Sequence, residues 1–479
     1  MALSKKMTYP LVVDLDGTLI QADLLWEGLL LLFCRAPFKI LKALFRELPH
    51  GKSRFKVYLA NQVIPDPVVL PYNQNVLKIL KEAQKAGRML VLASASPRIW
   101  AEAVAKHLGL FDMVLATEKH INLQGNNKLE AIRVACGNEG FDYIGDGRID
   151  ISIWNASKEP MVVGKSPSLT RRMSIAGVHA TFIPREFMRF AWWKTLRPQQ
   201  WSKNILLFIP ILLAHHFTDL LRWRSLVLAF VAFSLVSSSV YLFNDLFDLE
   251  ADRYHVRKRL RPIPSGQLSI FSGFVEGIAT FVIALTISFY VSLGFSFWLL
   301  GYFILSLTYS VWLKRIFLVD VIVLALLYNM RIAAGGFVVA VTVSSWLYAF
   351  AIFFFVSLAF VKRYMELYNQ TKAGLVEIKR RGYVTSDLPV IFAEGLVSGF
   401  ISVLIFYIYI SISEQARTLY HHPNILSFAG VVLLYWIGRL WFLAHRHEIA
   451  EDPVAFALQD SVSMICVLFV IVFFFLAIF

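Results

Sequence analysis

The sequence predicts two regions of different class: an N-terminal α/β domain built on a parallel sheet over about residues 1–183, and a C-terminal all-α domain of about nine membrane spans over 204–479. Three observations carry this reading. Residues 1 to about 185 mix charge with short apolar runs, whereas from about 204 onward the apolar runs are long enough to cross a ~30 Å hydrocarbon core. Charged residues make up only 17% of the 479, below the ~25% of an average soluble protein, while 57% are apolar. Finally, the first region ends its apolar runs in acidic turns, the pattern of strands that feed a site.

The net charge of +14 sits beside the spans and on one side of them. It points to anionic lipid head groups and phosphate substrates and away from nucleic acid. Cys34, Cys136 and Cys466 lack metal-ligand spacing, so neither a zinc site nor a disulfide framework is indicated. Met1 to Pro10 has no apolar signal core, which predicts a cytoplasmic first domain.

In chain order, Tyr9 to Leu15 reads as a strand leading into Asp14-Leu15-Asp16-Gly17-Thr18. The first carboxylate can attack phosphorus and the second can move a proton. A second strand, Met89 to Ala93, ends in Ser94; Lys128 follows, and then Tyr143-Ile144 leads to Asp146 and Asp150. A hydroxyl and an ammonium can hold phosphoryl oxygens, and the later carboxylates can complete a Mg²⁺ site with Asp14 and Asp16. Ser96 is expected to cap a helix from Pro97 to Gly109.

This succession resembles the haloacid dehalogenase (HAD) superfamily of phosphohydrolases. The resemblance implies a Rossmann-like sheet, Asp14 as nucleophile, Asp16 as acid and base, Ser94 and Lys128 as phosphate ligands, and Asp146 and Asp150 as metal ligands. It also implies a helical cap inserted over about 20–88. A degenerate domain kept for structure or regulation is the competing reading. Within the insertion, Leu24 to Tyr58 is apolar on a helical period but carries Lys39, Lys42, Arg46, Lys52, Arg54 and Lys56. Packing of cap on core accounts for it; docking on the membrane surface is the bolder reading. Residues 151 to about 195 lose the strand–helix rhythm and turn basic, so they are expected to be a linker ending in an interfacial helix, Pro184 to Thr195, within a 184–203 connection.

The expected spans are 204–219, 225–247, 271–291, 296–313, 317–340, 345–362, 390–412, 425–444 and 461–479, the first and fourth short enough to be broken or tilted. Basic clusters at Arg253 to Arg261, Lys314-Arg315 and Lys362 to Arg381 alternate with loops free of lysine and arginine, which orients the N-terminus inside. The second span closes on Asn244, Asp245, Asp248 and Asp252, whose fourfold spacing puts them near one helix face. Carboxylates at such a depth need a cation, a partner or a wet cavity. They are candidate Mg²⁺ ligands, with a solvated acidic helix end as the plain alternative. Asp320, Asn329 and Arg331 lie within the fifth span, and the buried guanidinium calls for a partner or an anionic ligand.

The Asn-x-x-x-Asp-x-x-x-Asp cluster and the nine expected spans resemble the UbiA superfamily of intramembrane prenyltransferases. Leu196 to Asn204, Asn244 to Asp248, Arg259 to Gly266 and Lys362 to Leu367 resemble its decaprenyl-phosphate phosphoribosyltransferase branch. Where prenyl-diphosphate users carry a second Asp-x-x-x-Asp, this chain has Lys362-Arg363-Tyr364-Met365-Glu366. The branch implies transfer of 5-phosphoribose from 5-phosphoribose 1-diphosphate to a polyprenyl phosphate, with Asp245 and Asp248 central. Lys203, Arg257, Lys258, Arg261, Lys314, Arg331, Lys362, Arg363 and Glu366 would then bind substrates. A phosphatase in the same chain would remove the 5-phosphate. The competing functions are isoprenyl transfer to an aromatic acceptor and a phosphate-regulated transporter or lipid scaffold. A bacterial-type inner membrane with cytoplasmic active sites is expected, and self-association stays open.

Overall fold

A computed structural model of the chain describes residues 9–118, 121–137, 140–185, 190–372, 382–449 and 452–479. The chain divides into two compact units, Met1–Leu196 with Tyr241–Gly277, and Arg197–Val240 with Ile278–Phe479.

The first unit is built on a six-stranded parallel sheet: β1 (Leu11–Val13), β2 (Leu90–Pro97), β3 (Met113–Thr117), β4 (Asp142–Gly145), β5 (Pro160–Val163) and β6 (Thr181–Ile183), in the order β3-β2-β1-β4-β5-β6. Central β1 is fully buried, with Val12 in register with Val91 on one side and Tyr143 on the other. A strand covered on both faces reads as a continuous apolar run, which is what Leu11-Val12-Val13 supplies.

The linker expected over 151–195 is overturned, because β5, the helix Pro167–Ile175 and β6 all fall there and complete the sheet. Strands of three and four residues are too short to show a period, and the basic residues around them occupy the turns and the helix. The interfacial helix expected over Pro184 to Thr195 shortens to Ala191–Thr195, with Trp192 and Trp193 exposed. Phe187 and Arg189 lie outside the described residues.

Between β1 and β2 runs the helical insertion. α1 (Leu24–Arg35) is capped by Asp23, which accepts from Leu25 N at 2.8 Å. It stops at Ala36, extended at φ −154°, because the following proline disfavours helical geometry there. α2 (Pro37–Lys42) continues through a π-turn, Ala43–Glu47, and a 3₁₀ turn, Leu48–His50, before α3 (Lys52–Gln62). Leu24, Leu32, Ala43, Phe55 and Leu59 bury against Leu80 and Trp100 of the sheet domain.

Tyr241–Gly277 packs into this same unit. Leu242, Leu246, Leu249, Ile263 and Ile270 form one apolar cluster with Trp26 and Leu30 of α1. At its centre Arg253 donates to both oxygens of Glu27, at 3.0 and 2.6 Å, and its Nε donates to the Pro264 carbonyl at 3.0 Å. Both side chains are about 5% exposed.

Among the described residues eight helices are long and apolar enough to cross a membrane: Leu220–Phe247, Ile270–Val291, Leu293–Val311, Val319–Val338, Ser345–Asn369, Thr385–Ile412, Pro423–His445 and Ser461–Ile478. They match the second to ninth expected spans to within a few residues at most ends, the sixth running farther at its C-terminus. The first, 204–219, is instead a 3₁₀ run, Pro198–Phe208, followed by the five-residue helix Ile209–Leu213. Pro198 and Pro210 each open one of these pieces, since proline suits a first turn but not an interior. Lys379-Arg380-Arg381 lies outside the described residues.

Removing one partner of a buried, bidentate ion pair strands the other charge, at a cost of about 3–5 kcal/mol. Glu27→Ala and Arg253→Ala are each expected to lower the urea midpoint for cleavage of the first unit in pulse proteolysis. The Glu27→Leu/Arg253→Met double variant should lie closer to the parent; a double variant as weak as the sum of the singles would reject the coupling.

Candidate active sites

The carboxyl end of β1 delivers Asp14, whose amide donates to the Ile144 carbonyl at 2.9 Å and so continues the ladder into the site. Asp146 and Asp150 arrive from the turn after β4. One carboxylate oxygen from each of Asp14, Asp146 and Asp150 lies within 4.8 Å of the others, and among the described residues no other group of three acidic, histidine or cysteine side chains does so. Asp150 is held by the Tyr143 hydroxyl at 2.9 Å and the Gly147 amide at 3.1 Å. Lys128, 3% exposed, donates to Asp14 Oδ1 at 2.7 Å and reaches Asp150 at 4.0 Å. Gly17 has φ +75°, and a Cβ there would collide with the Asp146 carboxylate. The turn thus needs glycine both for its backbone and for the space.

Burial, then mutual repulsion only partly offset by Lys128, pushes the Asp14 carboxyl up to about 7. Burial with the Asp14 and Asp150 charges does the same to Asp146, also to about 7. Three clustered carboxylates with one lysine are short of positive charge, and an all-oxygen donor set suits a hard divalent cation. The residues present therefore fit Mg²⁺.

Asp16 stands outside this triad. Its Oδ2 accepts from Ser96 Oγ at 2.6 Å and Ser94 Oγ at 3.3 Å, and its Oδ1 from Leu24 N, at the start of α1, at 2.8 Å. Burial, with the nearby Asp23 charge, raises its carboxyl to about 6. Ser96 was expected as a helix cap; Arg98–Leu108 has no side-chain cap, and the hydroxyl serves Asp16 instead. Lys56 of α3, read from sequence only as one basic residue of the insertion, donates from Nζ to the Ala95 carbonyl at 2.9 Å, and its charge acts on Asp16, Asp23 and Asp14. Its only sequence signal was a lysine within an apolar helix. Beside Asp146 a cavity of about 580 Å³ opens at the carboxyl ends of β5 and β6, lined in part by Gly164, Lys165, Ser166, Phe182 and Arg185.

Also in the first unit, the helix from Leu220 ends at Phe247, Asp248 steps out of α geometry, and a short helix, Leu249–Tyr254, follows. The uninterrupted helix expected here is therefore broken, although the Asp248 amide still donates to Asn244 O at 2.9 Å and the Asp252 amide to Asp248 O at 2.7 Å. Asp245 and Asp252 are nearly buried and share Arg261 Nη1, at 3.0 and 2.6 Å. Burial raises Asp252 against the pull of Arg261 and Lys258. Asn244 Oδ1 is buried without a hydrogen-bond partner. This orphaned oxygen, together with three neighbouring carboxylates in sequence, fits a cation site. Arg257 is exposed and Lys258 half-buried in the turn beyond.

In the second unit Lys203 donates to Asp452 Oδ2 at 2.6 Å. Burial would raise Asp452, but Lys203 and Lys362 outweigh it and hold the carboxyl down at about 2. Arg363 is fully buried and donates to Asp320 and Glu366, both at 2.5 Å, and to the Tyr309 hydroxyl at 3.0 Å. Asp320 also accepts from the Tyr383 hydroxyl at 2.6 Å. Arg363 is thus a structural partner of Asp320. Arg331, 5% exposed, donates to Asn204 Oδ1, the Leu327 carbonyl and the Tyr302 hydroxyl at 2.6–2.8 Å, all neutral acceptors. Lys314 lies in the turn Leu313–Arg315. Asp452 and Tyr302 went unpredicted, and Asn204, quoted only within Leu196 to Asn204, was not expected to meet Arg331, because nothing local in the sequence marks them as partners of distant cations.

Residues 205–465 match the UbiA prenyltransferase family and residues 11–153 the haloacid dehalogenase-like hydrolases. The uncharacterized protein y4nM of Sinorhizobium fredii is 33% identical over 459 residues, 95% of this chain and 88% of that protein. Nodulation protein NoeC of Azorhizobium caulinodans is 34% identical over 275 residues, 57% of this chain and 88% of NoeC. Decaprenyl-phosphate phosphoribosyltransferase of Corynebacterium glutamicum is 35% identical over 188 residues, covering 38% of this chain and 56% of that enzyme.

With Asp14 and Asp146 raised from 3.8 to about 7, the folded state holds protons that the unfolded chain has released, so stability falls as pH rises through that window. A bound divalent cation substitutes for those protons. In calorimetry Mg²⁺ is expected to raise the first unit's unfolding temperature by several degrees at about pH 8 and by little at about pH 5. Asp146→Asn should abolish most of the increment at the higher pH; equal increments at both values would reject the triad as the binding site.

Proposed function

Because the chain belongs to the UbiA prenyltransferase family, carries an N-terminal haloacid dehalogenase-like domain and is an integral membrane protein, we propose that it makes a polyprenyl-phosphoryl ribose in two steps. In the first, an oxygen of a polyprenyl phosphate attacks C1 of 5-phosphoribose 1-diphosphate, the C1–O bond breaks, and pyrophosphate leaves. In the second, the 5-phosphate is hydrolysed. The observation that carries the choice of donor is the 35% identity to a decaprenyl-phosphate phosphoribosyltransferase over 188 residues. Lys362-Arg363-x-x-Glu366 in place of a second acidic motif supports it.

For the transfer, Asn244, Asp245, Asp248 and Asp252 would hold Mg²⁺. When bound, the ion supplies charge neutralisation for the departing pyrophosphate. Arg261, Arg257 and Lys258 bring further positive charge to phosphate groups. Arg331 has neutral acceptors around a buried charge, which favours an anionic ligand over a purely structural role. The basic loops support a cytoplasmic location for both reactions.

For the hydrolysis, Asp14 attacks phosphorus, the P–O5 bond breaks, and Asp16 passes a proton to the departing ribose oxygen. Water then cleaves the aspartyl phosphate while Asp16 takes the proton back. A carboxyl raised to about 6 suits this exchange near neutrality. Lys128 steadies the Asp14 carboxylate and the phosphoryl oxygens, and Ser94 and Ser96 fix the orientation of Asp16.

Mass spectrometry of lipid products from purified protein, polyprenyl phosphate and isotope-labelled 5-phosphoribose 1-diphosphate tests both steps. The parent should release pyrophosphate and inorganic phosphate and form the dephosphorylated ribosyl lipid. Asp14→Asn should accumulate the phosphorylated lipid, with phosphate release reduced at least ~100-fold, and Asp248→Ala should lose pyrophosphate release to a similar degree. Consumption of an isoprenyl diphosphate with an aromatic acceptor, and none of the phosphoribosyl donor, would overturn the first step. Identical products from the parent and Asp14→Asn would overturn the second.

A further inference from the structure

The stretch from α2 through the following turns, residues 37–50, divides into three stripes. Ile40, Ala43 and Glu47 turn inward, with Ala43 fully buried and Ile40 packed on the sheet domain's core. Phe38, Leu41, Phe45 and Leu48 recur at spacings of three and four and so line one face. This face is bare: Phe38 is 83% exposed and Phe45 80%, with Leu41 and Leu48 also open. Lys39, Lys42 and Arg46, all exposed, form the third stripe about 100° round the helix from it.

A soluble domain gains nothing by presenting two phenylalanines almost wholly to water, since burying each is worth about 1.5–3 kcal/mol. The stripe also begins where a membrane helix ends. The Phe33 ring, near the end of α1, stacks on Phe247, the last residue of the helix Leu220–Phe247, with centroids 6.1 Å apart. Cys34 Sγ donates to the Phe247 carbonyl at 3.9 Å, and Arg35 pairs with Glu250 at 3.5 Å. α1 therefore ends beside the tip of a span, and within a few residues the chain presents an apolar stripe flanked by cations.

We propose that residues 37–50 of the insertion are an interfacial anchor, with Phe38, Leu41, Phe45 and Leu48 seated among the acyl chains next to the head groups. Lys39, Lys42 and Arg46 would lie along anionic lipid phosphates. A large apolar face with lysine and arginine beside it is the pattern that lies in the membrane plane. The long basic side chains reach the head groups while their stems cover apolar surface. The inference requires only that the chain spans a membrane, whatever group it transfers.

The test uses the full chain in lipid nanodiscs with Cys34, Cys136 and Cys466 changed to serine and a nitroxide placed at Phe45→Cys or, as a reference in water, at Lys81→Cys. Collision with oxygen should exceed collision with a water-soluble nickel chelate several-fold at position 45, and the order should reverse at position 81. Equal nickel accessibility at the two positions would overturn the anchor. So would spin–spin broadening at position 45, which would put a second copy of the chain there. If the labelled variants do not fold, amide exchange of the parent decides. Slower exchange over 37–50 in nanodiscs containing phosphatidylglycerol than in phosphatidylcholine alone supports the anchor, and equal rates overturn it.

Discussion

The first unit depends on the buried pairing of Glu27 with Arg253. Two charges out of water survive only where geometry and further hydrogen bonds answer both, and here the fork of the guanidinium meets both carboxylate oxygens while its Nε takes the Pro264 carbonyl. The pair joins residues 226 apart in sequence. α1 turns it into a lever of about 18 Å, from twelve residues at ~1.5 Å each. At one end Leu24 holds Asp16 at the end of β1; in the middle Glu27 grips Arg253; at the other end Phe33 and Arg35 meet Phe247 and Glu250. One rigid element thus touches both Asp16, beside the carboxylate triad, and the acidic turn after Phe247.

The charged clusters differ in how far they are neutralised. Around Arg363 the charges answer one another, with Asp320, Glu366 and the Tyr309 hydroxyl accepting from the guanidinium and Tyr383 donating to Asp320. The triad of Asp14, Asp146 and Asp150 is left short of positive charge, and Arg331 is left short of negative charge. Structural ion networks tend to the first condition. Sites that await a ligand tend to the second, because the ligand supplies the missing charge.

Much of the architecture was legible because it rests on runs of residues. Apolar stretches marked eight of the long helices, and strand-end carboxylates drew attention to Asp14, Asp146 and Asp150, which the fold brings to one point. What escaped lacked either length or locality. β5 and β6 are too short to show a period, and prolines split the segment expected as a first span into a 3₁₀ run and a five-residue helix. Ser96 looked like a cap because the helix is next to it in sequence, whereas its real partner, Asp16, is 80 residues away. Asp452 and Tyr302 complete cation environments across comparable distances. Single-residue spacing cannot reveal such partners, since folding alone brings them together.

The first compact unit is discontinuous in sequence, ending at Leu196 and resuming from Tyr241 to Gly277. Whatever gave rise to the joined chain, cutting it at the linker would not recover two independent proteins. A fragment stopping at Leu196 would leave Glu27 without its counter-charge and Trp26 and Leu30 without the leucines and isoleucines that cover them. The membrane portion alone would likewise carry Arg253 bare. Either half transplanted alone into another chain would need a substitute for the surface of this core that it had lost.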